Sequence, residues 1–253
     1  MMKTILFILT CIISFSSNLL AKTNKQSKLK IIGVSIESVF GEDTGLEERL
    51  LKRVFKCMDQ PYELVIVPFG RHFSLFNNND DFDAVATVPS SMELKGFRSQ
   101  SHINYYNGIT TLKAKNHKIK NFEDLAGLKL ISFVGAKEIF PKLKAIIPKL
   151  KSYKEMANQR SHSLSLYNER VDAIFSDGYI VSRYNSIIKI ESKDEIYRKP
   201  VVFNLISEPT AFTVYFRESS KRDLFNKCLN KPSMQKTLDS ISNEYRINQM
   251  INN

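Results

Sequence analysis

The chain has 253 residues, 43% of them hydrophobic and 25% charged, which is an ordinary globular composition and argues against wholesale disorder. This length holds one large domain or two smaller lobes with cores of their own. The formal net charge of +11 suits nucleic acid, an anionic membrane face or an anionic solute. The lysines are scattered and not gathered on one stripe, which favours a role in solubility, with steering of an anionic ligand as the alternative.

The N-terminus has the three parts of a secretory signal. Lys3 supplies the positive charge, residues 5–15 the apolar core, and residues 16–21 the small-residue approach to cleavage after Ala21. The apolar core is too short for a membrane span. We therefore predict, with residues 1–21 as the signal peptide, a soluble periplasmic monomer. Its export and its lack of a basic-aromatic stripe argue against a nucleic-acid partner.

Export also bears on the cysteines, because exported proteins can form disulfides. Removal of the signal leaves Cys57 and Cys228. A single bridge between them would tie the first helix to the last, and the alternative is two unpaired buried thiols. The sequence does not supply the geometry that decides between these two possibilities.

The first half of the mature chain alternates strands with helices. Apolar runs predict strands over residues 28–35, 62–68 and 82–87, and a helix of about four turns follows the first strand. Thr44 and Glu47 at the start of that helix have the spacing of a capping box. This β-α-β-α-β order is typical of a parallel sheet with covering helices.

The third strand leads into the polar loop Pro89-Ser90-Ser91. Open α/β sheets bind their ligands at the carboxyl ends of their strands, where this loop lies. The hydroxyls of Ser90 and Ser91 are small enough to orient a polar ligand without filling the space. We therefore expect this loop to form one wall of a binding site.

The second half of the chain repeats the pattern of the first. A strand over 129–134 is followed by a helix over 137–147, and a later buried strand over 171–176 ends in the polar loop 177–179. The segments FDAVAT and VDAIFS are both short apolar strands that begin with Asp-Ala after a polar turn. Two similar α/β lobes that face one another are the economical interpretation.

Two longer strands, residues 108–115 and 211–217, are predicted to cross between these lobes, and the tail beyond them is helical. The predicted organisation is lobe 1 from 28–108 and 211–253, and lobe 2 from 109–210.

Together these segments resemble the type II periplasmic solute-binding proteins, in particular the bacterial extracellular solute-binding protein family 3. The resemblance rests on the signal and, in order, on FDAVAT, YYNGITTLKAK, NFEDLAGLKLISFVGA, RVDAIFSDGY and AFTVYFR. It implies an α/β fold of two lobes with mainly parallel sheets, joined by two crossing hinge strands. It also implies that the lobes close over a small polar or charged solute in the cleft.

The resemblance also bears on the ligand. Amino-acid-binding members of the family carry a Thr-x-x-Arg loop whose arginine holds the ligand carboxylate, but here the loop is SSMELKG, with Glu93 or Leu94 at that position. The acidic residue that contacts the amino group in such relatives is kept as Asp177. A standard free amino acid is therefore disfavoured. The alternative role of Asp177 is to cap the helix that begins near Tyr179, itself a candidate ligand contact.

Two further features are candidates for binding an anionic group. Arg71, in a PFGR segment that resembles a Pro-Trp-x-Arg element of a less characterised branch of the family, lies near the predicted cleft rim; alternatively it pairs with Asp80 or Asp81 on the surface. The backbone N–H groups of Gly135 and Ala136 precede a helix and are placed to hold an anion, although a tight turn requires the same glycine.

Aromatic residues near the strand ends are candidates to stack on a ligand, and we expect about two of them to line the cleft. These candidates are Phe40, Phe69, Tyr105, Tyr106, Phe133 and Tyr179.

The sequence favours a binding protein over an enzyme. It contains no Gly-x-Ser-x-Gly, phosphate-loop or Gly-x-Gly-x-x-Gly motif, and its four histidines lack the spacing of metal ligands. We expect no cofactor and no metal. The leading hypothesis is delivery of a solute to an ABC transporter through a membrane permease. The alternatives are a sensor module for a membrane signalling partner and a dehydratase-like periplasmic enzyme.

Overall fold

A computed structural model describes residues 28–34 and 45–250 of the chain. The predicted secretory signal, Phe40 and Thr44 lie outside these residues. Within the described residues no helix combines the length and the apolar character that crossing a membrane requires.

The described elements alternate strands with helices. The strands are β1 Leu29–Val34, β2 Tyr62–Val67, β3 Ala84–Pro89, β4 Phe97–Arg98, β5 Ile103–Tyr105, β6 Asn107–Leu112, β7 Lys129–Ser132, β8 Ser152–Glu155, β9 Ala173–Asp177, β10 Val201–Leu205 and β11 Thr210–Phe216. The helices are α1 Leu46–Cys57, α2 Arg71–Asn78, α3 Ala136–Ile139, α4 Pro141–Ile146, α5 Arg160–Tyr167, α6 Gly178–Glu191, α7 Ser219–Leu229 and α8 Pro232–Met250.

Two mixed sheets, each with a parallel and an antiparallel part, form the centres of two α/β lobes. The first has the order β2-β1-β3-β11-β4, with β5 also paired to β11, and the second has the order β10-β6-β9-β7-β8. In the first sheet β2, β1 and β3 are parallel, and in the second β8, β7 and β9 are parallel. The predicted fold class of two α/β lobes is confirmed.

The Asp-Ala motif opens an equivalent strand in each lobe through a pair of hydrogen bonds. The Lys30 N–H donates to Asp83 Oδ2 at 2.7 Å, and the Asp83 N–H donates to the Lys30 carbonyl at 2.9 Å. Lys129 and Asp172 make the same pair of bonds, at 2.8 and 2.9 Å. The repeated sequence therefore reflects a repeated function, which is to fix β3 on β1 and β9 on β7.

The chain passes between the sheets at two places that are close in space. Tyr105 pairs with Thr210 in the first sheet, and Asn107 pairs with Asp177 in the second, so the first passage is at Tyr106. The return lies between the end of β10 and the start of β11, at residues 206–209.

The disulfide that the sequence left open is present between Cys57 and Cys228, whose Cα atoms are 5.8 Å apart. It joins the end of α1 to α7, and the tail continues beyond α7 into α8. Buried apolar residues of α1, such as Leu50 and Val54, lie in the same core cluster as Cys228. The bridge therefore fixes the C-terminal helices to the core of the first lobe.

Two local predictions were wrong. Helix α1 has Gly45 as its N-cap without a side-chain cap, and Glu47 turns inward, so it makes no capping box. The helix predicted over 137–147 is divided at Phe140, because Pro141 begins the new helix α4. Proline suits the first position of a helix, where its missing N–H costs nothing.

Candidate ligand site between the lobes

A small cavity lies between the lobes and is lined by residues of both sheets. Its volume is about 30 Å³, which is room for little more than one or two water molecules. Any larger solute therefore requires the lobes to move apart. The lining residues are Phe69, Tyr105, Asn107, Phe133, Gln159, Ser176, Asp177, Ile180 and Phe212.

Aromatic and backbone contacts hold the lobes together beside this cavity. Phe69, which follows β2, meets Phe133, which follows β7, edge to face with ring centroids 5.6 Å apart. The next residue, Gly70, has φ of +90°, and a Cβ atom there would lie 3.1 Å from Val134 of the second lobe. Glycine is suited to this position because it adopts positive φ and allows the close approach.

Asp177, at the end of β9, is the acidic residue of the cavity and is only 2% exposed. Its Oδ2 accepts the Tyr106 N–H at 2.7 Å, and its Oδ1 accepts the N–H groups of Tyr179 and Ile180 at 3.0 and 3.2 Å. Burial raises the pKa of Asp177 to about 7, against the opposing effect of these three donors.

The structure therefore shows Asp177 as the N-cap of α6 and as a bond to Tyr106 at the passage between the lobes. A carboxylate offers about four acceptor positions, and three are used by these backbone donors. One position remains on the side chain that lines the cavity. Capping and the predicted ligand contact are thus compatible.

A buried polar cluster centred on Glu47 supports the first-lobe side of the cavity. Glu47 Oε2 accepts the Thr87 and Tyr105 hydroxyls at 2.9 and 3.0 Å, and His102 Nε2 lies 2.7 Å from Glu47 Oε1. Thr87 has φ of +60°, a costly conformation for a β-branched residue. The cluster therefore joins α1 and β3 to β5 and to the residue that precedes β5.

His72 links this cluster to the contact between the lobes. The Gly70 N–H donates to His72 Nδ1 at 3.1 Å, so Nε2 carries the proton and donates to the Thr87 carbonyl at 3.2 Å. Burial lowers the pKa of His72 to about 4, which keeps the ring neutral. His72 thus holds Gly70 in the position from which it contacts Val134.

The predicted anion site at Gly135 and Ala136 is filled by the chain itself. Glu155 accepts the N–H groups of Gly135 at 2.9 Å and Lys137 at 3.1 Å, and the Ala136 N–H donates to the Phe133 carbonyl at 3.2 Å. The strand β8 brings Glu155 to this turn by pairing with β7. The alternative interpretation, a tight strand-to-helix turn, describes these residues.

The serine loop has mainly structural contacts. The Ser90 N–H donates to the Ala211 carbonyl at 2.8 Å, and the Ser90 carbonyl accepts a hydrogen bond from Arg98. Ser91 is exposed. Neither serine is among the residues that line the cavity, because β3 extends two residues further than predicted and pairs through Pro89 with β11.

Arg71 and Tyr179 also lie away from the cavity lining. Arg71 is exposed at the first position of α2, next to Gly70, and Asp80 pairs with Arg217 at 3.4 Å. The side chain of Tyr179 is buried in the core cluster of the first lobe. The ligand contacts predicted for these residues stay predictions.

Three of the six aromatic candidates, Phe69, Tyr105 and Phe133, line the cavity. Sequence reasoning missed the other lining residues outside Asp177. Of these, Asn107 pairs with Asp177 next to the passage between the lobes, and Ser176 pairs with Gly108 near the end of β9. Such positions indicate a site only once the strand order is known. Gln159 accepts the Ser176 hydroxyl at 2.6 Å.

The comparisons with known proteins show the fold. No protein-family model matches the chain, and no curated protein sequence matches it. An ancestral arginine-binding protein bound to arginine is similar in structure, with a TM-score of 0.67, 20% identity, and coverage of 86% of this chain and 97% of that one. An ancestral amino-acid-binding protein described as a precursor of cyclohexadienyl dehydratase has a TM-score of 0.67, 19% identity, and coverage of 86% and 95%.

A third similar structure is an amino acid ABC transporter substrate-binding protein from Streptococcus pneumoniae bound to L-arginine. Its TM-score is 0.65 at 14% identity, and the match covers 88% of this chain and 95% of that one. The chain therefore has the fold of the type II periplasmic binding proteins, as the sequence predicts.

Proposed function

We propose that the protein is an exported solute-binding protein that captures a small solute between its lobes and delivers it to an ABC transporter. The observation that carries this proposal is the cavity itself, because both lobes contribute residues to its wall. A solute that contacts both lobes stabilises the closed arrangement over the open one.

The proposed motion is a hinge at the two passages between the sheets. We take lobe 1 as residues 28–108 and 211–253 and lobe 2 as residues 109–210. The bond from the Tyr106 N–H to Asp177 lies at one passage. Hinges are commonly a few residues at the ends of elements, which absorb the change in backbone angles.

Delivery to a transporter is supported by the kind of protein that shares this fold. Similar structures include substrate-binding proteins of amino acid ABC transporters. The secretory signal predicted from the sequence supports a periplasmic location, where such a protein would meet a membrane permease.

The test is solute-induced closure of the mature chain, residues 22–253. Thermal unfolding is measured against amines, amino acids, organic acids and oligosaccharides, and stabilising solutes are then examined by small-angle X-ray scattering. A solute at a hundred times its Kd stabilises by about 2.7 kcal/mol, and closure reduces the radius of gyration. Recovery of the solute unchanged separates binding from an enzymatic reaction.

A pair of variants ties the effect to the cavity. Ser176→Leu places a larger side chain in the cavity wall and should remove the solute response, while circular dichroism checks that the fold is kept. Ser152→Leu, at an exposed position in the same sheet, should respond like the natural chain. A solute panel without any stabilisation or change in radius would contradict the proposal.

A further inference from the structure

The charge of the cavity wall limits the chemistry of the solute. Among the described residues that line it, Asp177 carries the acidic group and none is Lys, Arg or His. The described wall of the cavity therefore favours a cationic group over an anionic one.

Groups that would hold a carboxylate are already engaged within the chain. Glu93 or Leu94 stands at the loop position that the resemblance assigns to an arginine clamp. Glu93 pairs with Arg98 at 3.0 Å and accepts the Tyr215 hydroxyl at 2.9 Å. The N–H groups of Gly135 and Lys137 donate to Glu155. A solute carboxylate in this cavity would meet the Asp177 carboxylate without a cationic partner among the described lining residues.

The rest of the wall is mainly aromatic. Phe69 and Phe133 meet edge to face at 5.6 Å, and Tyr105 and Phe212 do so at 4.9 Å. Aromatic faces attract ammonium groups, and their apolar surface stabilises hydrocarbon. Asp177 adds one remaining carboxylate acceptor position beside these rings.

On these grounds, and resting on the proposed function, we propose that the solute is an amine with an apolar or aromatic body and no carboxylate. Its ammonium group donates to Asp177 Oδ2, and its body lies among the rings that line the cavity. The chemical class therefore differs from that of the free amino acids named for the similar structures.

The experiment compares amines with the amino acids that differ from them by one carboxylate. The pairs are agmatine and arginine, cadaverine and lysine, phenethylamine and phenylalanine, and tyramine and tyrosine, titrated calorimetrically into the mature chain. We expect at least one amine to bind at least about tenfold more tightly than its partner, the ratio produced by about 1.4 kcal/mol.

Equal or tighter binding of the amino acids, or closure by an organic acid or a sugar alone, would overturn this inference and leave the proposed function standing. Absence of closure with every solute of the broad panel would overturn both.

Two variants identify the anchoring group. Asp177→Asn retains a residue that caps helices as well as aspartate does, and it should weaken amine binding about 10- to 100-fold through loss of a charged hydrogen-bond acceptor. Arg71→Met should bind the amine unchanged. The reverse result, with binding lost in Arg71→Met and retained in Asp177→Asn, would overturn the inference, and the titrations of the natural chain test it even if a variant fails to fold.

Discussion

Replacing Glu47 by alanine tests whether the cluster beneath the cleft is a main source of stability in the first lobe. Glu47 is 6% exposed and is the shared partner of the Thr87 and Tyr105 hydroxyls and of His102 Nε2. Removing it leaves these buried groups without that partner. The alternative, a capping role at the start of α1, involves solvent-accessible backbone and much less energy.

The expected loss follows from the number of groups left unsatisfied. Each buried polar group that loses its partner costs about 1–3 kcal/mol. Because the three groups relax together, we expect Glu47→Ala to lower the free energy of unfolding by about 3–5 kcal/mol. Loss of a helix cap costs about 0.5–2 kcal/mol.

The assay is urea unfolding, with Glu48→Ala as the matched control. Glu48 lies in the same helical turn and makes a surface pair with Lys52 at 2.8 Å, a type of pair that contributes about 0.3–0.5 kcal/mol. Combining Glu47→Ala with Tyr105→Phe should reveal a coupling of about 0.5–3 kcal/mol. A loss for Glu47→Ala as small as that of the control, with additive double variants, would refute the reasoning.

Two other properties follow from the structure. The Cys57–Cys228 bridge spans 171 residues. Its removal by Cys57→Ser should lower the free energy of unfolding by up to about 5 kcal/mol, because the unfolded chain gains conformational entropy. A reductant should lower the urea midpoint of the natural chain but not that of the variant. Burial raises the pKa of Asp177 to about 7. Between about pH 4 and pH 7 the folded state therefore holds a proton that the unfolded state has lost. The contribution of Asp177 to the free energy of unfolding falls as pH rises through that range, by at most about 1.4 kcal/mol per pH unit. Burial lowers the pKa values of His72 and His162 to about 4, so their contribution to stability rises with pH between about pH 4 and pH 6.5. The difference in the free energy of unfolding between the natural chain and Asp177→Asn isolates the aspartate from these histidines. A difference that stays constant from about pH 4 to pH 7 would contradict the assignment.

Much of the fold could be predicted because it depends on short-range patterns. Apolar runs of strand length and helical spacing of apolar residues depend on neighbours within a few positions. The Asp-Ala motif at Asp83 and Asp172 was readable as a repeated pair of residues, but its bonds are long-range, because each carboxylate accepts a backbone N–H of a neighbouring strand, from Lys30 in β1 or Lys129 in β7. The strand β10, Val201–Leu205, was missed; it is an edge strand beside β6, and half-buried edge positions give a weak apolar signal.

The candidate site could be predicted only in part. Sequence reasoning named Asp177, Phe69, Tyr105 and Phe133 as candidates, and all four line the cavity. It placed Ser90 in the wall as well, whereas the structure uses its backbone to extend β3 against β11. The prediction for Ser90 differs from the structure because a polar residue that follows a strand faces the cleft only if the strand's hydrogen bonds to its neighbour end before that residue.

By itself the sequence determined two α/β lobes, repeated strand openings and an acidic residue at the end of β9. Only the tertiary structure decided which groups meet. Glu47 finds its partners 40, 55 and 58 residues away in the chain, and Glu155 takes the N–H groups that the sequence assigned to an anion. Periodicity reports which face of an element is buried, but the partner of a buried polar group depends on which elements the topology brings together, and a hydrogen bond requires that partner within about 3 Å.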